Sequence, residues 1–354
     1  MPFARSFGIG YDHDNSRLRQ VFFVKKYMNL LIYLSHERRC WNISQQQIEH
    51  LQQAFHHWNI VWAHNDTMFQ QALSEAEAVY CFQFPVAYIP IAQKLRWIST
   101  PAAGNDWIYS EQLHKTGITF TTSQGFHGIT MSEWALGMLL MLRHRLHYPF
   151  THEPQYDLTH DLTTRIIDLQ GQTLLIIGCG TIGTTLAERA RAFGMHTWGM
   201  RRQVPPIAND PIERWFDATT VMQALPYADF IVDLLPSTPE TLHWFTSDIF
   251  QHFKPGCIFM NLGRGSTVDQ EALLKALQEE RIAQAVLDVT DPEPLPATHP
   301  LLNHPRVIVT PHVSACSEAY LDRALVIQKA QMQRVDEGKP LINRVFGSEM
   351  VAFR

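Results

Sequence analysis

The chain has 354 residues, of which 45% are hydrophobic and 18% are charged, so it can build a sizeable core and wholesale disorder is excluded. Its 29 basic and 34 acidic residues give a net charge of -5, which argues against nucleic acid or an anionic membrane as the main partner. The longest dense apolar runs, such as residues 134–142, are too short to span a bilayer.

The cysteine and histidine spacings predict neither disulfides nor a metal site. Five scattered cysteines form no C-x-x-C pair, which favours a reduced, cytoplasmic protein. The 18 histidines include no H-E-x-x-H or similar spacing, so we expect no metal. Residues 1–27 look unlike the rest of the chain and are interpreted as a possible N-terminal extension.

Apolar runs alternate with helical patterns along both halves of the chain, which predicts parallel sheets with helical crossovers. In the first half we predict strands at 28–34, 60–63, 78–82, 95–99 and 118–122, and helices at 44–58 and 67–76. A long, nearly all-apolar helix is predicted at 129–148, buried between two domains. In the second half we predict strands at 173–178, 196–200, 230–235, 257–262, 283–289 and 307–311, and helices at 181–194 and 325–338.

The stretch at 174–185 reads LLIIGCGTIGTT and joins a predicted strand to a predicted helix through a G-x-G-x-x-G loop. Gly178 permits the tight turn, Gly180 allows a diphosphate to approach the backbone, and Gly183 lets the helix pack on the strand. The free N–H groups at the helix start, including those of Thr181 and Ile182, favour an anion. The context predicts a dinucleotide; a ligand-free turn or S-adenosylmethionine in a methyltransferase are the alternatives.

The end of the next strand indicates which dinucleotide binds. An NAD site usually places a carboxylate there to hold the ribose 2′-hydroxyl. This chain instead reads GMRRQ, with Arg201 and Arg202. Two guanidinium groups match the 2′-phosphate of NADP, so we predict that NADP is preferred and that NAD is possible. The alternative is that both arginines are solvated surface charges.

Three later stretches place polar residues after strands, where ligands collect in open α/β sheets. Arg264 ends NLGRG, Glu293 lies in the proline-rich loop after Asp288, and His312 follows VIVTP. Hydride addition to a ketone needs a proton donor, and histidine holds a proton near neutral pH. A neighbouring carboxylate favours the charged ring and orients it. An arginine can bind both the carboxylate and the carbonyl of a 2-keto acid.

Over residues 78–316 the chain resembles the D-isomer-specific 2-hydroxyacid dehydrogenases. Seven motifs in family order carry the resemblance: STPAAGND (99–106), GITMSEWALGMLL (128–140), LIIGCGTIG (175–183), LLPSTPET (234–241), NLGRGSTVD (261–269), DVTDPEPLP (288–296) and TPHVSA (310–315). The resemblance implies an α/β protein of two Rossmann-like domains with a cleft between them. A flavodoxin-like substrate domain would comprise 1–145 plus 317–354, and an NAD(P)-binding doubly wound parallel sheet would comprise 146–316.

The resemblance also implies the site residues. Arg264 would bind the substrate carboxylate and carbonyl, His312 would be the acid–base, and Glu293 its partner. The backbone N–H groups of Ala103 and Gly104 would hold the carboxylate from the other side. Asp288 would hold the nicotinamide carboxamide, and the remaining cofactor-lining residues would be Leu235, Pro236, Ser237 and Leu262.

The chain departs from parts of the family pattern in informative ways. Arg201 replaces the family's common Asp, as in its NADP-preferring glyoxylate and hydroxypyruvate reductases. Formate dehydrogenases of the same superfamily are an alternative, which residues 84–90 faintly favour, but they usually carry Gln where Glu293 stands. Residues 150–159 lack the tryptophan-bearing stretch expected before the cofactor domain, which bears on the local interdomain contact.

We therefore predict NADPH-dependent reduction of a 2-keto acid to the D-2-hydroxy acid. Glyoxylate or hydroxypyruvate is the first choice of substrate and phenylpyruvate the second. Nearby aromatic residues could narrow the pocket or stack on the ring of a substrate, although such residues more often belong to the core. These are Trp107, Phe126, His127 and Trp134. A non-catalytic NAD(P)-sensing interaction protein is the alternative from another class. The family resemblance further implies a homodimer through the helix at 129–148.

Overall fold

The computed structural model describes residues 28–105, 108, 110–146, 166–202 and 210–351. The predicted extension at 1–27, Trp107 and the divergent segment at 150–159 lie outside the described residues. The chain forms two sheets, each with its own buried core.

The first sheet begins with five parallel strands in the order β2-β1-β3-β4-β5. They are β1 (Met28–Tyr33), β2 (Trp58–Trp62), β3 (Ala78–Cys81), β4 (Trp97–Ser99) and β5 (Thr119–Thr121). This is a flavodoxin-like order, and the chain changes direction across the sheet between β1 and β3. Loops at the carboxyl ends of these two strands therefore border a crevice.

The first four helices are α1 (Gln45–Ala54), α2 (Asp66–Leu73), α3 (Glu111–His114) and α4 (His127–Arg143). Ser44 caps α1: its hydroxyl accepts the Gln47 N–H at 3.2 Å and its own N–H donates to the Gln47 side chain at 2.9 Å. Such a capping box contributes about 1 kcal/mol. The helix predicted to reach residue 58 ends at Ala54, because Trp58 already pairs with Met28 in the sheet.

The second sheet has seven parallel strands in the order β12-β11-β10-β9-β6-β7-β8. They are β6 (Thr173–Ile177), β7 (His196–Met200), β8 (Arg214–Phe216), β9 (Phe230–Asp233), β10 (Cys257–Asn261), β11 (Ile282–Leu287) and β12 (Val307–Val309). Its helices are α5 (Thr181–Ala192), α6 (Ser247–Gln251) and α7 (Gln270–Gln278). The strand order reverses between β6 and β9, which is where a doubly wound sheet binds its nucleotide.

Two further elements connect the halves. Helix α4 begins at His127, two residues before the predicted start at 129, and ends at Arg143, five residues before the predicted end at 148. Its buried face packs with Leu174 and Ile176 of the second sheet. Helix α8 (Tyr320–Asp336) begins five residues before the predicted start and packs on the core of the first sheet, after which β13 (Arg344–Phe346) pairs antiparallel with β5. The two-domain α/β architecture is confirmed, while the limits at 145 and 316 stay a prediction.

The described residues lack two features, a membrane-spanning helix and a metal-binding cluster of side chains. Within them, no helix has the length and apolar character that a bilayer crossing requires, the longest having 17 residues. The same part of the chain contains no cluster of three or more His, Cys, Asp or Glu side chains that could hold a metal ion.

Candidate active site

A cavity of about 350 Å³ opens between the carboxyl ends of the two sheets. Residues from both halves of the chain line it, which is how a substrate and a cofactor could meet there. Eleven of the predicted site residues are among its lining: Ala103, Gly104, Gly178, Gly180, Thr181, Ile182, Leu235, Pro236, Leu262, Arg264 and His312. Six others lie outside that lining: Gly183, Arg201, Arg202, Ser237, Asp288 and Glu293.

The glycine loop follows β6 and leads into α5. Gly178 has φ +80°, and a Cβ there would lie 2.8 Å from the backbone of Leu235 at the end of β9. A Cβ on Gly183 would lie 2.8 Å from the Ile176 side chain, so helix and strand touch there. A Cβ on Gly180 would meet only the Gly178 carbonyl oxygen, at 4.0 Å. The second glycine therefore keeps space open at the helix N-terminus, which fits a dinucleotide diphosphate.

Arg201 directly follows β7 and lies beside the glycine loop. Its N–H donates to the Phe216 carbonyl at 3.2 Å, and its guanidinium carbon is 5.9 Å from the centroid of the Trp215 ring. Burial raises the pKa of the Cys179 thiol in the glycine loop to about 12, and the charge of Arg201 acts in the opposite direction. The arginine is thus close enough to the loop to act on a group bound there.

Arg202 is exposed and its charge reaches the loop after β9. The pKa of Glu240 in that loop is lowered, first by the hydrogen bond with Thr238 and to a smaller extent by Arg202. The first acidic residue after β7 is Asp210, and its carboxylate accepts the indole N–H of Trp215 at 2.5 Å. Two arginines, rather than a carboxylate, therefore directly follow β7 in the chain.

Arg264 follows β10 and reaches across the cleft. Its Nη1 donates to the Gly263 carbonyl at 2.8 Å. Its Nη2 lies against Gly104, where a Cβ would be only 1.7 Å from that nitrogen. A guanidinium from the second half thus packs on the backbone of the first half, which is possible because residue 104 has no side chain.

His312 and Glu293 form a pair at the edge of the cavity. The imidazole Nδ1 is 2.9 Å from the Glu293 Oε1, and the two side chains are 19% and 38% exposed. His312 has φ +53°, in the left-handed region that costs a non-glycine residue free energy. Such conformations cluster at functional sites because the surroundings must hold them.

Asp288 holds the loop that carries His312. Its carboxylate is 1% exposed and accepts the Thr310 hydroxyl at 2.6 Å and the N–H groups of Val313 and Ser314, each at 2.8 Å. These bonds bracket His312 on both sides in the chain. Its contact with a nicotinamide carboxamide stays a prediction.

A second histidine, His127, also lines the cavity but does not carry the second ring proton at neutral pH. Burial, and then the charge of Arg264, lower the pKa of His127 to about 4. Its ring is therefore neutral at pH 7.

Comparisons with known proteins identify the family of this chain. Residues 136–314 match the sequence model of the D-isomer specific 2-hydroxyacid dehydrogenase NAD binding domain. A glyoxylate reductase of Korarchaeum cryptofilum is 32% identical over 232 residues, which are 64% of this chain and 68% of that protein. The chain belongs to the D-isomer specific 2-hydroxyacid dehydrogenase family.

Two further relatives extend this comparison. Glyoxylate/hydroxypyruvate reductase B of Escherichia fergusonii is 41% identical over 153 residues, which are 42% of this chain but only 46% of that protein. The solved structure of a D-isomer specific 2-hydroxyacid dehydrogenase family protein from Aeromonas salmonicida is 30% identical, with a TM-score of 0.74 over 90% of this chain and 99% of that one. The fold of the family thus spans both halves of the cleft.

Three aromatic residues that line the cavity of this dehydrogenase-family protein were not predicted: Trp41, Phe82 and Tyr320. Trp41 stacks on Phe82 with ring centroids 4.9 Å apart, and each contacts Tyr320. Trp41 and Phe82 follow β1 and β3, so the rule that ligands collect at carboxyl strand ends could have found them. Of the aromatic residues predicted near the pocket, Trp134 packs with the core instead.

The loop that carries Arg264 rests on a buried polar network. The Asn261 side chain donates to the Arg264 carbonyl at 2.9 Å and accepts the Gly263 N–H at 3.0 Å. The Thr267 hydroxyl lies 2.7 Å from the same carbonyl and 2.5 Å from the Asp233 carboxyl. Residues 261–267 supply most of this network, and Asp233 joins it from the end of the neighbouring strand β9, 34 positions away from Thr267.

Proposed function

We propose that this protein reduces a 2-keto acid to the D-2-hydroxy acid with NADPH. The observation that carries the proposal is the meeting of Arg264, the His312–Glu293 pair and the glycine loop around one cavity. These parts supply a carboxylate-binding group, a proton donor and a dinucleotide-binding loop. The chain's membership of the dehydrogenase family supports the same reaction.

The residues divide the chemistry as follows. NADPH, when bound, supplies the hydride for the carbonyl carbon. Arg264 binds the substrate carboxylate and the carbonyl oxygen, and its charge stabilises the negative charge that develops on that oxygen. His312 bonds to Glu293 through Nδ1, so the proton for the oxygen comes from Nε2. Glu293 stabilises the protonated ring and fixes its orientation.

Backbone groups and apolar side chains complete the proposed binding site. The N–H groups of Ala103 and Gly104 would hold the substrate carboxylate opposite Arg264. Asp288 would orient the carboxamide of the nicotinamide. The diphosphate and the rings would be held by Gly178, Gly180, Thr181, Ile182, Leu235, Pro236, Ser237 and Leu262, with Gly183 allowing α5 to approach β6.

The preference for NADPH rests on Arg201 and Arg202. Both stand where a carboxylate would select NAD, and the charge of Arg201 reaches the glycine loop. The planar guanidinium suits a phosphate, which it can bind through two hydrogen bonds. NAD remains the alternative cofactor.

Two substrate classes compete for the cavity. Glyoxylate and hydroxypyruvate are favoured by the names of the Korarchaeum and Escherichia relatives. The aromatic wall of Trp41, Phe82 and Tyr320 favours a second candidate, an aromatic keto acid such as phenylpyruvate. Rings on the wall would stack on the ring of such a substrate.

Initial rates with the three keto acids, each with NADPH and with NADH, test the proposal. We expect turnover with at least one keto acid and a clear preference for NADPH, and we expect His312→Gln to lose turnover while it still binds NADPH. Equal rates with both cofactors would contradict the role of Arg201 and Arg202. Binding of NADPH without turnover of any keto acid would instead favour a non-catalytic sensing protein.

We also propose a homodimer through residues 129–148. The described part of this segment exposes Ile129, at 39%, and the glycine at 137, which has open space around it. The exposed isoleucine and the space around the glycine leave room for a second copy of the chain. Light scattering of the purified protein measures the assembly directly.

A further inference from the structure

Arg38 links the two halves of the chain at the loop that carries His312. It lies in the segment after β1, in the first half, whereas His312 follows β12 in the second half. The Arg38 Nη1 donates to the His312 carbonyl at 2.7 Å, and its Nη2 donates to the Pro311 carbonyl at 2.6 Å. One guanidinium thus binds two successive carbonyls of the loop.

The left-handed turn at His312 explains why both carbonyls are within reach. Successive groups of an extended chain point to opposite sides, so one fork could not bind both. With φ +53° at His312, the two oxygens lie on the same side and match the fixed spacing of the guanidinium donors. Hydrogen bonds from a charged donor are among the stronger ones, so they favour this turn over an extended alternative.

Arg38 is itself held in place by the wall of the cavity. Its guanidinium carbon is 4.5 Å from the centroid of the Trp41 ring, and its backbone N–H donates to the His36 ring at 3.0 Å. Trp41 lines the cavity, so the same ring contacts the arginine and faces the substrate space. Asp288 fixes the loop from its own half, and Arg38 fixes it from the other.

We propose that Arg38 is a positioning residue, which holds His312 in its productive turn when the two halves of the protein lie together. The inference rests on the reductase function proposed above. Arg38 contacts the backbone of the catalytic residue, so its loss should slow the proton transfer step while the cofactor, bound on the second half, keeps its affinity. Turnover and cofactor binding should therefore separate in variants of Arg38.

The test compares Arg38→Met, Arg38→Lys and the control Arg39→Met, which removes the same charge from an exposed neighbour. We expect Arg38→Met to lower kcat at least tenfold with an unchanged NADPH dissociation constant, since an apolar side chain cannot bind the carbonyls. Arg38→Lys should recover only part of the rate, because a single ammonium lacks the fork. Arg39→Met should match the wild type.

A second readout does not depend on turnover. Amide hydrogen exchange of residues 310–316 should be faster in Arg38→Met than in Arg39→Met, with no change in the glycine loop. A normal kcat together with unchanged exchange would overturn the proposal, and so would a loss of NADPH binding in parallel with kcat. If the wild type reduces no keto acid while exchange responds as expected, the proposed function fails and the positioning of the loop by Arg38 stands.

Discussion

Among single residues, Asp233 is a carboxyl group whose pKa depends on its burial and on its hydrogen bonds. The carboxyl is fully buried at the end of β9, and burial raises its pKa to about 7. The Thr267 hydroxyl lies 2.5 Å from this carboxyl and 2.7 Å from the Arg264 carbonyl, but it has a single hydrogen to donate. The hydroxyl can donate to only one of these two oxygens at a time, so it compensates only in part for the burial of the Asp233 carboxylate.

The charges around Asp233 do not offset its burial. Its strand neighbours in the sheet, Ile177 and Asn261, are uncharged, and the charged groups of the adjoining segment are Arg264 and Asp269. The contributions that lower the pKa of Asp233 come from the Thr267 hydroxyl and then a backbone N–H, and they do not compensate for burial. The neutral acid is therefore the form that the fold favours below about pH 7.

This ionisation predicts a pH-dependent effect of Asp233→Asn on stability. The carboxyl has a pKa near 3.8 in the unfolded chain and about 7 in the folded protein. Its contribution to the free energy of unfolding therefore falls as pH rises from 3.8 to 7 and is constant above pH 7. An amide keeps both hydrogen bonds without a proton to lose. We expect the variant to be more stable than the wild type at pH 8, by on the order of a few kcal/mol, and to lose this advantage towards pH 4.

Urea unfolding between pH 4 and pH 8 measures this difference in stability. Asp217, whose pKa shifts in the opposite direction, supplies the control. Hydrogen bonds from the Thr219 and Thr220 hydroxyls lower the pKa of Asp217 to about 2, so its charge stabilises the fold above pH 4. Asp217→Asn should therefore reduce stability at pH 8. If Asp233→Asn were also less stable than the wild type at pH 8, folding would not raise the pKa of Asp233.

Among the elements, the glycine loop contains one glycine needed for packing, Gly183, and another, Gly180, proposed for ligand binding. Gly183→Ala should destabilise the protein by about 1–3 kcal/mol, since its methyl would lie 2.8 Å from Ile176. Gly180→Ala should leave stability unchanged, because its methyl meets open space, and should weaken NADPH binding where the diphosphate would lie. Thermal unfolding and a fluorescence titration with NADPH measure the two effects.

The two variants control each other. Each adds one methyl to the same loop, so a difference between them reflects the position of the methyl rather than the loop's tolerance of alanine. Normal NADPH affinity in a well-folded Gly180→Ala protein would place the diphosphate elsewhere. Full stability of Gly183→Ala would mean that α5 can move away from β6 without loss.

The elements that the sequence predicted correctly are those whose own residues determine them. Strand β7 (His196–Met200) matches its prediction residue for residue, and four of its five residues are buried. The edge strands β8 and β13 were not predicted: each has three residues, and Arg214 and Arg344 are exposed in them. They are strands only because β7 and β5 offer them a partner.

The same distinction holds for the candidate site. Arg264, Glu293 and His312 follow strands or lie in strand-end loops, so their approach to one cleft follows from the topology of a parallel sheet. Arg38 acts on a carbonyl 274 positions away, and Asp233 acts on a hydroxyl 34 positions away. Such contacts depend on how loops from separate strands pack, which no local pattern in the sequence encodes.

For the whole molecule, the decisive contact joins Arg264 of the second half to Gly104 of the first. The guanidinium occupies the place of a missing side chain, with Nη2 only 1.7 Å from where a Cβ would lie. The backbone of the first half and the charge of the second half can therefore bind one carboxylate from two sides. The proposed substrate site therefore needs both halves of the chain.

Gly104→Ala should therefore damage catalysis without damaging the cofactor site. The added methyl must push the guanidinium away, and a displacement of about 1 Å in a catalytic group can cost on the order of a hundredfold in rate. We expect kcat/KM for the best keto acid to fall by that order while NADPH affinity and thermal stability stay unchanged. The matched control is Gly137→Ala, which adds the same methyl on α4, outside the cavity, where nothing in the chain lies within 4 Å. Because Gly137 lies on the face proposed for the dimer, light scattering of this variant accompanies its kinetics. Wild-type kcat/KM in Gly104→Ala would mean that Arg264 can bind the substrate without this contact, and that the two halves cooperate through other residues.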